Sequence, residues 1–239
     1  MTKTMLKTAA FALLAAGAAS TASATTTITA SDSGWYRDSG AHSPSNRNVF
    51  TGGNGSDELR SFFVFDLTGL SAASSLSVTF PINGRFATDT GTETVNFYDY
   101  TGSITSLVGG TGGVSAFNDL GSGALLGQQT ITAANNSAMP EFTFVLPLSF
   151  VSQFNAAIGS GDQRIAFGAS MQTLLPGGAG EAFWSFSDNR GANAAQLNIT
   201  PAAAIPEPTT WALMLLGFFA AGAAMRRKPS VRSVSVRYS

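Results

Sequence analysis

For most of its length the chain alternates apolar and polar residues in twos, and only briefly in threes and fours. From Arg60 to Leu67 the run Arg-Ser-Phe-Phe-Val-Phe-Asp-Leu sets Phe63, Phe65 and Leu67 on one face of an extended strand and Phe62, Val64 and Asp66 on the other. A strand apolar on nearly both faces belongs in the middle of a sheet. Leu76, Val78 and Phe80 follow with the same period, closed by Pro81 and the turn pair Asn83-Gly84. Val95 with Phe97, Phe142 and Phe144 with Leu146 and Leu148, Ile165 with Phe167, Ala182 with Trp184 and Phe186, and Leu197 with Ile199 continue the pattern. Phe150, Val151, Phe154 and Ile158 change to a spacing near three and four, which predicts one short helix. Glycines at 109, 110, 112, 113, 121, 123 and 127 predict a long, loop-rich connection. Eight or nine short strands with hardly any helix predict an all-β fold, an antiparallel β-sandwich of jelly-roll type.

Both ends depart from this pattern. Lys3 and Lys7 precede the apolar stretch Ala9 to Ala16, and Ala22-Ser23-Ala24 offers small residues for cleavage before Thr25, so residues 1–24 read as a secretory signal peptide. At the other end Ile205-Pro206-Glu207-Pro208-Thr209-Thr210 opens onto an uncharged run from Trp211 to Met225 that carries Leu213, Leu215, Leu216, Phe218 and Phe219. Arg226-Arg227-Lys228 closes it. The two prolines hold Glu207 on an extended strap, because the ring fixes φ and disfavours helix in the residue before it. Fifteen residues at about 1.5 Å each span about 22 Å, less than the roughly 30 Å hydrocarbon core, so 211–225 reads as a marginal transmembrane helix. The three cations keep the C-terminus cytoplasmic and place everything before the strap outside. Four segments result: signal peptide 1–24, exported domain 25–204, sorting segment 205–228 and basic tail 229–239.

On Pro206-Glu207-Pro208, the apolar run from Trp211 and the Arg-rich end, the C-terminal segment resembles a PEP-CTERM sorting domain, a segment also known as an ice-binding-protein C-terminal domain. The resemblance implies a membrane-embedded protease-transpeptidase, an exosortase, as partner. It further implies transient anchoring in the inner membrane, cleavage near Glu207, and release or attachment to an exopolysaccharide- or biofilm-rich surface. The tail Pro229 to Ser239 is longer than the few basic residues usual in that family. A second, shorter resemblance rests on Arg60 to Leu70 followed by the strand from Leu76, which is similar to a strand of secreted jelly-roll modules in PEP-CTERM proteins. Some of those modules are similar to carbohydrate-binding modules, which implies loops displayed toward a polysaccharide.

Charge narrows the partners. Lys3, Lys7 and Lys228, the only lysines, lie in the targeting segments, and residues 25–204 carry six arginines against thirteen acids, a net charge of minus seven. An acidic domain of this kind lacks the clustered basic face that nucleic acid or an anionic lipid surface requires. Without cysteine there is no disulfide, thiolate nucleophile or Cys-ligated metal. His42, the one histidine, sits in the polar loop Ala41 to Arg47 and reads as a solvated imidazole; no Gly-x-Ser-x-Gly elbow accompanies it. A glycosidase needs two carboxylates about 5–10 Å apart, and the spacing of Glu58, Glu93, Glu141 and Glu181 singles out no pair.

The expectation is therefore a protein without enzymatic activity and without a required cofactor. Structural calcium is the one ion with any basis, through Asp32, Asp38 and Asp57 in Gly/Ser/Asn-rich stretches, although aspartates there ordinarily bond their own turns. Trp35-Tyr36 and Tyr98-Asp99-Tyr100 offer flat faces for sugar rings or the half-buried ends of strands. An ice-binding face needs regular threonine ladders, and the chain has one cluster, Thr25 to Thr29. The pattern reads as an exported cell-surface or matrix protein; the alternatives are a secreted polysaccharide-active hydrolase and an ice-binding or adhesion protein.

Overall fold

The computed structural model describes residues 24–54, 56–80, 85–87, 92–132, 141–174, 182–185, 194–202 and 208–226. Residues 1–23 of the expected signal peptide, Ala22 among them, the expected turn pair Asn83-Gly84, Glu181, Phe186, Pro206, Glu207, Arg227, Lys228 and the tail lie outside the described residues. Two compact units divide the chain, Met1–Ala202 and Ala203–Ser239.

The first unit is built from β1 (Thr26–Thr29), β2 (Asp32–Arg37), β3 (Val49–Asn54), β4 (Asp57–Asp66), β5 (Ala73–Phe80), β6 (Arg85–Ala87), β7 (Thr92–Asp99), β8 (Leu125–Thr132), β9 (Phe142–Val145), β10 (Arg164–Met171), β11 (Ala182–Ser185) and β12 (Gln196–Pro201). Among the described residues three helices interrupt them: α1 (Ile104–Val108), α2 (Gly113–Asp119) and α3 (Leu148–Ile158). Among the described residues the strands form two antiparallel sheets. One has four strands in the order β1-β12-β5-β9; the other has eight, β6-β11-β3-β4-β10-β7-β8, with β2 added against β4. In the smaller sheet β1 runs antiparallel along β12, with Thr26 opposite Ile199 and Thr29 opposite Gln196.

β4 is the centre expected from its two-sided apolar pattern. Phe63 pairs with Phe167 of β10 on one edge and Ser33 of β2 on the other, while Leu59 lies between Arg37 and Gly52. A residue has only two edges, so β3 and β10 follow one another along one side of β4 and β2 takes the opposite side. Phe62, Phe63, Val64 and Phe65 are all exposed by 1% or less. Their inner partners form the main core: Phe97 and Phe167 from the large sheet, Leu76, Val78, Phe80, Leu197 and Ile199 from the small one, and Phe150 and Phe154 from α3. Phe80 joins the sheets, with ring centroids 4.9 Å from Phe63 and 4.7 Å from Phe97. The helix read from Phe150, Val151, Phe154 and Ile158 is α3, and it buries the first three of these against that core.

The outer face of β4 is covered by what the glycines made look like loop. Leu107 of α1, and Ala116 and Phe117 of α2, pack with Leu120 on Tyr36, Phe62, Val64 and Ala166 as a second core. These helices are five and seven residues long, too short to hold by propensity. The sheet holds them by their ends. The Tyr36 hydroxyl donates to the Leu107 carbonyl at 2.8 Å. Arg60 Nη1 donates to the carbonyls of Phe117 at 3.1 Å and Asn118 at 3.3 Å, with its guanidinium 4.2 Å from the Phe117 ring centroid. Both side chains thus satisfy C-terminal carbonyls that a helix leaves without partners. Gly168 makes room for this docking, since a Cβ there would stand 2.5 Å from Leu120 Cα and closer still to its carbonyl oxygen.

Two further expectations change. Twelve strands are present among the described residues rather than eight or nine, because β1, β2, β3, β6 and β8 are polar, glycine-bearing or very short. Leu148 does not continue the β9 alternation; it begins α3 and is 77% exposed.

Within the second unit, α4 (Pro208–Arg226) begins at a proline, which suits the first helical position because its missing N–H has no partner there. Trp211, Leu213, Leu215, Leu216, Phe218 and Phe219 are 53% to 76% exposed along it, and Arg226 lies in its last turn. No helix among the described residues is long and apolar enough to cross a membrane. The stretch 211–225, expected to span the membrane, lies within α4 with its apolar side chains exposed.

Candidate functional site

The polar groups that converge in the first unit belong to the connection from β7 to β8. α1 and α2 leave between them an open cleft of about 520 Å³, whose lining includes Tyr100, Thr101, Ser103, Thr111, Ser115 and Asp119. Asp119 fixes its shape. Its Oδ2 accepts the backbone N–H groups of Thr101 and Gly102, each at 2.9 Å, and so ties the end of α2 back to the start of the connection. Its Oδ1 receives only the Thr101 hydroxyl, at 3.3 Å. At the N-terminus of α1, Ser103 Oγ accepts the Ser106 N–H at 3.2 Å. Burial first, and then the neighbouring Asp119 and Tyr36, push the Tyr100 phenol up to about 12, so it stays neutral and able to donate at physiological pH. The cleft lining contains no basic side chain. Tyr100 is one of the flat faces the sequence offers for a sugar ring, whereas Asp119 carries no local signature that sequence reasoning could have used, because its contacts depend on closure of the whole connection.

His42 is not a solvated imidazole. It stacks on Tyr36 with centroids 4.8 Å apart, meets Phe62 edge-on at 5.2 Å, and its Nδ1–H donates to the Trp35 carbonyl at 2.8 Å. Burial lowers its pKa below the ordinary 6.5, against smaller opposing pulls from the Trp35 carbonyl and Asp32. The unfolded chain therefore takes up this proton more readily than the folded one. Stability from this group is complete above the unfolded pKa of about 6.5 and declines as pH falls through it toward the lower folded value. Melting temperatures recorded from about pH 7.5 down to 5 should show that decline, and His42→Phe, which keeps a ring on Tyr36, should flatten it. An unchanged slope in the variant would remove His42 as its source.

The remaining acids are engaged locally. Asp32 opens β2, accepts the Ser33 N–H on its Oδ1 at 2.8 Å and meets Arg47 at 3.3 Å. Asp38 follows the far end of the same strand, six steps of about 3.3 Å from Asp32, and accepts the Ser39 N–H at 2.7 Å. Asp57 pairs with Arg37. The structure thus does not bring the three calcium candidates together, and no group of three or more metal-ligating side chains occurs among the described residues. Glu58 pairs with Arg60 at 2.8 Å, Glu141 is exposed, and buried Glu93 accepts the Thr94 N–H at 2.9 Å and the Thr173 hydroxyl. Buried Asp99 accepts the Ala124 N–H at 2.5 Å and the Gln153 amide at 3.0 Å, tying β7 to α3. Tyr36, fully buried, presents no face to a sugar, whereas Tyr100 is half-buried at the cleft.

The second functional element is the segment that ends in α4: Pro208 at the helix start, exposed apolar side chains along it, and Arg226 at its end. A family model described as the PEP-CTERM protein-sorting motif matches residues 204–228. No curated protein matches the chain.

Proposed function

The chain carries a PEP-CTERM protein-sorting motif, the mark of a protein sorted by a membrane exosortase, and from that premise we propose that it is a non-enzymatic component of a polysaccharide-rich cell surface. In this reading a signal peptide is removed after Ala24, two residues before β1 begins. The first unit then folds outside the cytoplasm as a jelly-roll-type sandwich. The apolar side chains of α4 engage the inner membrane only transiently, because the helix is short for a stable span. Exosortase cuts near Glu207, and the first unit is released or attached among exopolysaccharide. The observation that carries this reading is the match over residues 204–228.

The test is the mature C-terminus. In a host that encodes the protease, mass spectrometry should find a chain that stops near residue 206, and Glu207→Ala should leave nearly all of the protein with Trp211 to Met225 still attached in the membrane fraction. Mature wild-type protein that retains α4, or a variant processed as well as wild type, would overturn the assignment.

A further inference from the structure

We propose that the cleft between α1 and α2 binds a neutral hexose segment of a polysaccharide. The inference rests on the surface-polysaccharide reading above and gives it a place on the molecule. At about 520 Å³ the cleft falls in the roughly 300–1,000 Å³ range of small-ligand sites. Its lining is hydroxyl-rich rather than apolar. Thr111 and Ser115 can each both donate and accept, Thr101, which donates to Asp119, can still accept, and Ser103, which accepts the Ser106 N–H, can still donate, which matches a ligand whose hydroxyls do both. An apolar ligand would strip water from these groups without replacing its hydrogen bonds.

Charge selects further. No basic side chain lines the cleft, and Arg60 is committed to Glu58 and to the α2 carbonyls. A carboxylate or phosphate on the ligand would therefore meet only Asp119, a like charge. A metal is disfavoured because Asp119 is the single carboxylate in the lining. Asp119 itself is a directed acceptor. Oδ2 is filled by two backbone donors, while Oδ1 keeps lone pairs for a ligand hydroxyl, and charge-assisted bonds of that kind are about twice as strong as neutral ones. Tyr100 adds a half-buried ring against which the carbon face of a hexose can lie. Tyr36 and Arg60 pin both helices to the sheet, so the cleft is formed before any ligand arrives.

The experiment titrates the full-length chain, held in a sugar-free zwitterionic detergent, with cellobiose, maltose, chitobiose and digalacturonate while amide resonances of residues 101–122 are followed. At least one neutral hexose disaccharide should shift those amides saturably, with digalacturonate bound at least tenfold more weakly. Chitobiose separates cell-wall amino sugars from matrix hexose and should also bind at least tenfold more weakly. Asp119→Asn should weaken binding about tenfold. Because that change can loosen the connection, Ser115→Trp is the companion variant: it starts from an exposed helical position, fills the cleft from its open side and should abolish the shifts with an unchanged melting temperature. No shift with either hexose disaccharide, equal binding of digalacturonate or chitobiose, or full binding by the Ser115→Trp protein would overturn the proposal. Processing of the unaltered chain is read separately by its C-terminal mass. A correctly cut chain that binds no hexose sinks the cleft and leaves the sorting assignment standing.

Discussion

Truncating Phe167 to alanine is expected to lower stability by about 3–5 kcal/mol, much of the 5–15 kcal/mol that holds a typical domain folded. Phe167 is fully buried, and its ring lies 5.6 Å from Phe63, 5.4 Å from Phe65, 6.1 Å from Phe80 and 6.3 Å from Phe150. It therefore touches the central strand, the opposite sheet and α3 at once. Alanine removes all four ring contacts and leaves a cavity that strands paired on both edges cannot close. Urea denaturation of the processed protein should show a lower midpoint with an unchanged slope. Phe167→Leu, which refills most of the volume, should recover the larger part of the loss. A decrease below about 1 kcal/mol in the alanine variant would mean that the sheets are not packed through this ring.

Gly168→Val should act one residue away and in a different way. The neighbouring position faces outward, and any side chain there collides with the Leu120 backbone, which cannot rotate aside as a side chain can. Overpacking of this kind typically destabilises by about 1–3 kcal/mol. The damage should be confined to α1 and α2. Hydrogen exchange should rise sharply at the amides of Leu107, Ala116 and Leu120, with little change at Phe63 or Val78. Arg60→Ala weakens the same attachment from the other side, so the double variant should fall short of the sum of the two. Uniform exchange throughout the first unit would show instead that the helical connection and the sheets unfold as one.

These two residues also show how far the sequence alone could be read. Phe167 was legible because alternation assigns a face, and Phe62 to Phe65 announced a strand with apolar surroundings on both sides. What covers the outer side was not legible. Leu107, Ala116 and Phe117 sit in helices of one or two turns, broken by glycines that look like loop, and those helices persist because they pack on the outer face of β4 and because Tyr36 and Arg60 reach their carbonyls from strands distant in sequence. His42 was misread for the same reason: its loop is polar, but its ring meets Tyr36 and Phe62 only after β2 and β4 have paired. Asp119 has no distinguishing neighbours, and its partner backbone lies 17 and 18 residues earlier. The sorting motif was legible as a local pattern, and the family model matches that same stretch, residues 204–228.

The pairing of β1 with β12 has a consequence for how a precursor is strung. Thr26 lies opposite Ile199, so residues 24 and 202 flank β1 and β12 at the same end of the small sheet, about one strand spacing apart. A precursor held by a leader before β1 and a strap after β12 would hang as a closed loop, both cords gathered at one corner. Cutting either cord draws no strand back through the sheet.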